Sequence, residues 1–359
     1  MTVKCFLLKT MYHATLPLIC LVLLCGCTTK AARGEHIRLA AEAVERLDYG
    51  TAVAEAEMAV VAGEDARYAY RLMGVAYMKN AAYREAIGAF ETSLSRSDGI
   101  LHEMDFDMNM YIAYCYNALG EYESALRIYG NMLALRPSDT EILTSRGETL
   151  LMTGALQEAT ASFDRAIELS PRDFDLRVRI CRAYENAGYT EAGRSVLHTA
   201  LQSYGNAMSY YDKGLFAFYM GNNGEAQSHL EKALAGARDA ERARVVLLLG
   251  QTGERQGDLN YAIATYSDLL DQDPSHAEIF NRRGVCYMLR GEYTAAVADF
   301  EAGLALHDES VHQALLRNEI AAYESAGDFA RAKALMDSYL ALYPDDAEAV
   351  REAEFLSTR

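Results

Sequence analysis

The strongest constraint on the fold is an alanine that recurs along the chain at nearly regular spacing. Successive copies lie 33 to 39 residues apart. The nine copies are Ala52, Ala86, Ala125, Ala159, Ala192, Ala226, Ala262, Ala296 and Ala332. A repeat of this period predicts an array of helical hairpins, because each hairpin can bury its apolar face only against its neighbours.

Other residue types recur in step with the alanine. A glycine such as Gly120 or Gly291 commonly lies five residues before it, where a left-handed residue ends a helix. A small residue such as Gly74 lies twelve residues before it and allows two helix backbones to approach. Four of the five prolines lie twelve residues after it, where a helix must end. The pattern therefore predicts a helix–turn–helix unit.

These residues together resemble the tetratricopeptide repeat family. The resemblance implies an all-α, right-handed superhelical solenoid of about nine hairpins, forming one elongated domain from residue 33 to residue 346. The predicted units are 33–66, 67–100, 106–139, 140–173, 174–205, 207–240, 243–276, 277–310 and 313–346. Residues 347–359 are predicted to form a polar capping helix and tail. Three units depart from the pattern, since Leu47 replaces a turn glycine in the first, the fifth is one residue short at Gly188, and the ninth has Ile320 at the small position.

The N-terminus carries a second pattern. Lys4 and Lys9 precede an apolar run over residues 16–24, which predicts a signal peptide over residues 1–26. The run ends in Leu-Cys-Gly-Cys and resembles the lipobox of bacterial lipoproteins. The resemblance implies that Cys27 is lipidated, that residues 27–32 are a lipidated tether, and that the protein is anchored on the extracytoplasmic side of a bacterial cell membrane or outer membrane. An ordinary secretory peptide or a retained apolar anchor is the alternative.

Composition limits the classes of molecule that the protein can bind. The formal net charge is −17, and it becomes −19 without the two signal-peptide lysines, because 32 basic residues then face 51 acidic ones. Such a surface repels nucleic acid, so no nucleic-acid partner is predicted. Cys115, Cys181 and Cys286 lie in separate units, so we expect them to be buried without disulfides.

Motifs for catalysis are absent from the sequence. It lacks the spacings typical of zinc proteases, serine hydrolases, phosphate-binding loops and paired Cys-x-x-Cys sites. We therefore predict no catalytic residues, no metal site, no cofactor and no enzyme activity. Residues 97–107 carry four acidic residues, and either a calcium loop or a solvated loop is conceivable. The missing glycine and twelfth-position glutamate of an EF-hand favour the solvated loop.

Family resemblance also indicates where a ligand would bind, on the concave surface formed by the first helix of each unit. The candidate residues there are Arg71, Tyr111, Tyr114, Arg179, Arg182, Tyr211, Asn281, Arg282, Arg317 and Asn318. Arginine suits capture of carboxylates, so this groove predicts binding of an extended, partly acidic peptide or chain terminus. Alternatively, the arginines pair with acidic residues on neighbouring turns and only solubilise the groove. The acidic residues considered are Asp175, Glu185, Glu254 and Glu324.

Two functions remain open at this stage. The first is a membrane-anchored scaffold or adaptor that binds other envelope proteins or peptides. The second is a cell-wall glycan-binding or glycan-processing protein that uses aromatic rings as stacking platforms. The rings considered for the second function are Tyr111, Tyr114, Tyr211, Phe218 and Tyr219.

Overall fold

The computed structural model describes residues 34–344 and 346–358, except for the side chains of residues 239 and 240. Every regular element in these ranges is an α-helix. The helices are α1 (Glu35–Glu45), α2 (Tyr49–Val61), α3 (Ala66–Lys79), α4 (Tyr83–Ser95), α5 (Glu103–Ala118), α6 (Tyr122–Leu135), α7 (Thr140–Met152), α8 (Leu156–Leu169), α9 (Phe174–Asn186), α10 (Thr190–Tyr204), α11 (Tyr210–Tyr219), α12 (Asn223–Leu234), α13 (Asp239–Gln256), α14 (Leu259–Leu270), α15 (Ala277–Arg290), α16 (Tyr293–Leu304), α17 (Glu309–Ala326), α18 (Phe329–Leu342) and α19 (Ala347–Leu356). The predicted signal peptide, Cys27 and the tether lie outside the described residues.

The helices form two compact units that divide between Gly205 and Asn206. We call them the N-terminal array (α1–α10) and the C-terminal array (α11–α19). In each array, odd-numbered helices are the first helices of hairpins and even-numbered ones the second, and α19 follows the last hairpin. The periodicity predicts one continuous domain, whereas the structure contains two compact units.

The recurring alanine is a packing residue. Eight of its nine copies have no exposed surface, whereas Ala192 is only half-buried. In the fifth hairpin the buried residue is Gly193, and a Cβ added there would lie 2.6 Å from the carbonyl oxygen of Cys181. The sequence-based choice of Ala192 is therefore wrong, because two helix backbones approach too closely at Gly193 to admit a methyl group.

A glycine of the first helix and an aromatic ring of the second helix meet in four hairpins. A Cβ added to Gly74 would lie 2.5 Å from the ring of Phe90, so the ring occupies the space of the missing side chain. We call this contact the glycine–aromatic joint. The four joints are Gly74–Phe90, Gly147–Phe163, Gly250–Tyr266 and Gly284–Phe300. All four rings are fully buried, so each joint anchors the core of its hairpin.

Turns inside the hairpins use left-handed backbone. Gly120 and Gly291 have φ values of 74° and 80°, as the sequence pattern predicts. Leu47 and Ala81 hold the same position in the first two hairpins with φ values of 62° and 58°. These two side chains therefore occupy a conformation that L-amino acids adopt only at an energetic cost.

Three first helices begin earlier than the unit boundaries predict. Helix α5 begins at Glu103 rather than near 106, α13 at Asp239 rather than near 243, and α17 at Glu309 rather than near 313. The alanine spacings that precede them are 39, 36 and 36 residues, longer than most. The additional residues therefore extend a helix in each case.

Aspartate is the N-cap residue of many of the helices. The side chains of Asp48, Asp65, Asp139, Asp173, Asp258, Asp308, Asp328 and Asp346 each accept a hydrogen bond from a backbone N–H of the first turn. Each of these carboxylates satisfies a donor that the helix itself leaves unpaired and lies at the positive end of the helix dipole. Part of the acidic composition is thus explained by helix capping.

The three cysteines among the described residues are buried and unbridged, as the sequence predicts. Burial raises the pKa of Cys115 and Cys181 to about 12, so both remain thiols at neutral pH. Among the described residues, none of the helices has the length and apolar character needed to cross a bilayer.

Candidate ligand-binding face

First helices of neighbouring hairpins contact one another within each array. Helix α3 contacts α1 and α5, and α7 contacts α9, in the N-terminal array. Helix α13 contacts α11 and α15, and α15 contacts α17, in the C-terminal array. All ten candidate residues lie on first helices. We call the surface that carries them the first-helix face, and treat it separately in each array.

All three guanidinium nitrogens of Arg179 donate hydrogen bonds to residues of the preceding first helix. Its Nε lies 2.7 Å from Oε1 of Glu148, its Nη2 lies 2.9 Å from Oε2 of the same residue, and its Nη1 lies 2.6 Å from Glu141. Nη2 also donates to the hydroxyl of Ser145 at 3.1 Å. Burial disfavours the charge, but the two carboxylates outweigh it and raise the pKa of Arg179. Little of this guanidinium remains for a ligand.

Arg282 lies in a comparable cluster in the C-terminal array. Its nitrogens lie 3.7 Å from carboxylate oxygens of Glu254 and of Glu278. The hydroxyl of Tyr266 donates to Glu254 at 2.6 Å. Burial raises the pKa of the Glu254 carboxyl, and the charge of Arg282 opposes that rise. The cluster combines one of the predicted pairing partners, Glu254, with a tyrosine of a glycine–aromatic joint.

Arg317 is held against the C-terminal helix. Its Nη2 lies 2.7 Å from Oε2 of Glu352 on α19, and its guanidinium lies 5.3 Å from the ring centre of Tyr339. Its side chain is only 6% exposed. Arg179, Arg282 and Arg317 therefore match the internal-pairing alternative, although Glu141, Glu148, Glu278 and Glu352 were not among the partners predicted from the sequence.

Asn281 and Asn318 are two candidate residues that contact each other directly. The side-chain nitrogen of Asn318 donates to the oxygen of Asn281 at 2.8 Å across two neighbouring first helices. The side-chain oxygen of Asn318 is buried and has no hydrogen-bond partner among the described residues. This amide pair links α15 to α17 next to Arg282.

The aromatic candidates differ in exposure. Tyr111 is 7% exposed and packs 5.4 Å from Phe90, and Phe218 is 4% exposed with Arg255 stacked 3.5 Å from its ring centre. Tyr114 and Tyr211 are half-buried, and Arg244 lies 4.9 Å from the ring centre of Tyr211. Two of the five rings considered for glycan stacking are therefore buried in packing contacts.

Arg71 differs from the other arginines that were predicted to bind a ligand. It is 5% exposed, and its Nε is buried without a hydrogen-bond partner. Its guanidinium lies 5.8 Å from the ring centre of Tyr68, and it has no ion pair within the described residues. A buried charge in this condition is destabilising unless another group compensates it.

Asp107 lies across from Arg71 on α5, and sequence reasoning did not single it out as a site residue. It is half-buried, and burial raises the pKa of its carboxyl while the charge of Arg71 opposes the rise. The two groups interact electrostatically without forming an ion pair. Its place on a first helix, six residues before the small residue Ala113, is the sequence signal that could have found Asp107.

Arg182 is the remaining candidate arginine; it lies on α9, where it is half-buried and has interacting neighbours. Residues 98–102, which precede α5, are exposed as expected for a solvated loop, whereas Glu103, Asp105 and Asp107 lie within α5. Asp105 is 4% exposed, forms an ion pair with Arg67 and accepts a hydrogen bond from the backbone of His102 at 2.8 Å. The expectation of a solvated loop is thus wrong for Asp105, because Arg67 compensates its burial.

No group of His, Cys, Asp or Glu among the described residues has an arrangement that would hold a metal ion.

Comparisons with known proteins agree with this architecture. A tetratricopeptide repeat model matches residues 71–140, 116–174, 211–263 and 247–310, and a second tetratricopeptide repeat model matches residues 320–346. The crystal structure of yeast Tom70 superposes with a TM-score of 0.50 at 15% identity and covers 90% of this chain and 80% of that chain. That likeness shows the fold alone.

Two human proteins are similar over part of the chain. DnaJ homolog subfamily C member 7 is 24% identical over 208 residues, which are 57% of this chain and 38% of that protein. Protein O-mannosyl-transferase TMTC1 is 26% identical over 200 residues, which are 54% of this chain and 22% of that protein. The chain thus spans less than half the length of these curated relatives.

Proposed function

Because this chain belongs to the tetratricopeptide repeat family, we propose that it is a scaffold that holds a partner polypeptide on the first-helix face of its N-terminal array. The fold supports a protein–protein interaction role, since arrays of this kind present an extended surface built from many similar positions. The proposed role is binding without catalysis. The carboxylates of Glu148 in the N-terminal array and Glu254 in the C-terminal array are engaged by arginine or tyrosine, which leaves them poorly suited to acid–base chemistry.

The observation that carries the proposal is the buried guanidinium of Arg71, which forms no ion pair with a described residue and whose Nε has no hydrogen-bond partner there. In the last hairpin, Arg317 holds the equivalent position, fifteen residues before the recurring alanine, and its charge is neutralised by Glu352. Arg71 lacks such a contact, since Asp107 does not come within ion-pair distance. A partner polypeptide that brings an acidic side chain to Arg71 would provide the missing counter-charge.

Crosslinking in the native cells tests this role. We expect Arg71→Met to lose crosslinked partners, because it removes the charge and keeps most of the apolar stem. Arg165→Met is the control, since Arg165 forms only an exposed ion pair with Glu168. Circular dichroism verifies that both variants fold. An identical set of crosslinked partners for wild type and folded Arg71→Met contradicts the proposal.

We further propose that the scaffold is lipid-anchored through Cys27 on the extracytoplasmic side of a bacterial membrane, with other envelope proteins as its partners. The Leu-Cys-Gly-Cys ending after an apolar run supports this anchor. Labelled palmitate should be incorporated into the wild type and not into Cys27→Ser, and the wild type should fractionate with membranes. Cys115→Ser serves as the control because Cys115 is buried. Equal labelling of Cys27→Ser and wild type refutes the anchor.

A further inference from the structure

A cleft opens on the N-terminal array between α6, α7 and α8, and none of its lining residues is among the ten candidates on the first-helix face. It has a volume of about 440 Å³. Its walls are Leu126, Leu133, Ala134 and Leu150, with Gly130, Arg146 and Glu158 as the remaining lining residues. The cleft therefore has mostly aliphatic walls and contains one guanidinium.

Arg146 is incompletely satisfied in this cleft. Within the described part of the chain, its one hydrogen bond goes from Nη1 to the hydroxyl oxygen of Ser162 at 3.2 Å. It forms no ion pair with a described residue, and it is half-buried. Ser162 is a neutral acceptor and uses its own hydrogen on the carbonyl oxygen of Glu158 at 3.0 Å. The charge of Arg146 thus lacks a carboxylate at hydrogen-bonding distance.

The C-terminal array shows how the same position is satisfied elsewhere in the chain. Arg283 holds the register of Arg146, one residue before the small residue of a first helix. Its Nε and Nη2 donate to the two carboxylate oxygens of Asp299 at 2.9 and 2.7 Å, and its Nη1 donates to Ser267 at 3.0 Å. Asp299 lies sixteen residues after Arg283, and Ser267 lies sixteen residues before it.

The corresponding neighbours of Arg146 lack these groups. Sixteen residues after it stands Ser162, where Arg283 has Asp299. Sixteen residues before it stands Gly130, where Arg283 has Ser267. Gly130 is exposed, and a Cβ added to it would meet nothing within 4 Å. The replacement by glycine removes a side chain from the site and leaves the guanidinium accessible from the cleft.

We propose that this cleft binds a partner peptide through a carboxylate side chain that pairs with Arg146 and a neighbouring aliphatic side chain that packs between Leu126, Leu133 and Leu150. The carboxylate takes the place that Asp299 holds beside Arg283, with two parallel N–H···O bonds. The aliphatic side chain covers apolar surface of the cleft. Glu158, an exposed lining residue, repels the carboxylate of the peptide and lowers its affinity. This site is distinct from the face around Arg71 and does not rest on the function proposed above.

Methyl NMR of the full-length protein with labelled leucine tests the site directly. The probe is the peptide acetyl-Leu-Asp-Leu-amide, and acetyl-Leu-Asn-Leu-amide is its uncharged counterpart. We expect the Asp peptide to shift the methyl signals of Leu126, Leu133 and Leu150, and the Asn peptide to bind about tenfold more weakly, which is the usual loss for a charge-assisted hydrogen bond. Equal binding of the two peptides, or shifts confined to other leucines, overturns the proposal.

Variants distinguish the contribution of the Arg146 charge to peptide binding from the contribution of the cleft's shape. Arg146→Met should weaken the Asp peptide about tenfold and leave the Asn peptide unchanged. Gly130→Asp should supply an internal carboxylate and abolish binding of the Asp peptide, whereas Gly130→Ala should retain it. Glu158→Gln should strengthen binding of the Asp peptide. Undiminished binding to Arg146→Met contradicts the site even where Gly130→Asp does not fold.

A second copy of the chain is the competing occupant. In that case the same three leucine signals shift with protein concentration in the absence of peptide, and this result overturns the proposal. The variant Arg71→Met distinguishes this cleft from the scaffold function proposed above. It should leave the leucine shifts intact, so a failure of one proposal is distinguishable from a failure of the other.

Discussion

At the scale of single residues, glycine has different structural roles at different positions of this protein. In the glycine–aromatic joints it makes room for a ring, and in the hairpin turns it permits positive φ. Gly130 has neither role, because it lies in a helix with open space beside it. Identical substitutions at these three kinds of position should therefore have different effects.

Gly147→Ala should destabilise the protein. The added methyl group overlaps the ring of Phe163, and both helices are packed too closely to move freely. Overpacking of this kind costs about 1–3 kcal/mol. Gly130→Ala is the control and should stabilise by about 0.5–1 kcal/mol, because alanine is a better helix former in open space. Urea unfolding measures both changes, and equal midpoints for the two variants would refute the joint.

Ala81→Gly should stabilise the second hairpin. Ala81 has a φ of 58°, a conformation that costs an L-residue about 1–2 kcal/mol and costs glycine almost nothing. Greater freedom of glycine in the unfolded chain cancels about 0.4–1 kcal/mol of the gain. We expect a net increase of about 0.5–1 kcal/mol in the free energy of unfolding. The reverse change, Gly154→Ala at φ 77°, should lower it; a loss in Ala81→Gly disagrees with this account.

At the scale of elements, the C-terminal helix α19 has an electrostatic attachment as well as an apolar one. Ala349 and Leu356 pack on the last hairpin beside Ile320 and Met336. Arg317 is the cation that faces Glu352 of α19, and Glu324 lies close enough to interact with both. Burial, followed by the charge of Glu352, raises the pKa of Glu324 to about 7. One cation thus faces two carboxyl groups when both are ionised.

The attachment of α19 should weaken as the pH rises. Glu324 has an ordinary pKa of 4.5 in the unfolded chain and about 7 in the folded one, so the folded state binds more protons between these values. Its contribution to stability is fully present below pH 4.5 and is lost as the pH rises through 7. Amide exchange in α19 should therefore be better protected at pH 5.5 than at pH 8, after correction for intrinsic exchange rates. Glu324→Gln should flatten this dependence, and an unchanged dependence contradicts the assignment.

The sequence predicted helices and turns well because hairpin packing repeats at a fixed spacing. It predicted the arginine contacts poorly, because Arg179 reaches Glu141 and Glu148 across 38 and 31 residues without any local pattern. Burial of Asp105 was missed for the same reason, since its partner Arg67 lies 38 residues earlier. Long charged side chains have many possible partners on adjacent first helices, and only the three-dimensional arrangement selects one.

At the scale of the whole molecule, the division at Gly205 and Asn206 separates two sets of cores. Clusters around Leu72, Ala125 and Phe163 belong to the N-terminal array. Clusters around Tyr266, Phe300 and Met336 belong to the C-terminal array. Each array therefore has the buried apolar residues that an independent folding unit requires.

Each array should fold when expressed alone. We expect fragments 28–205 and 206–359 to give helical circular dichroism spectra and cooperative thermal unfolding, since each contains at least three core clusters of its own. Cutting at 118/119 is the control, because it separates α5 from its hairpin partner α6 and should leave an unstable fragment. An unfolded 206–359 fragment at 25 °C argues against independent folding.

The glycine–aromatic joint also bears on how such a chain lengthens and shortens. Each joint is completed within a single hairpin, so duplication or deletion of one whole hairpin keeps every glycine with its own ring. An insertion or deletion between the two partners changes their spacing and creates a hairpin with a gap or a clash. The joint therefore constrains the sixteen-residue spacing between glycine and ring inside these four hairpins, while the length of chain between hairpins is free to vary.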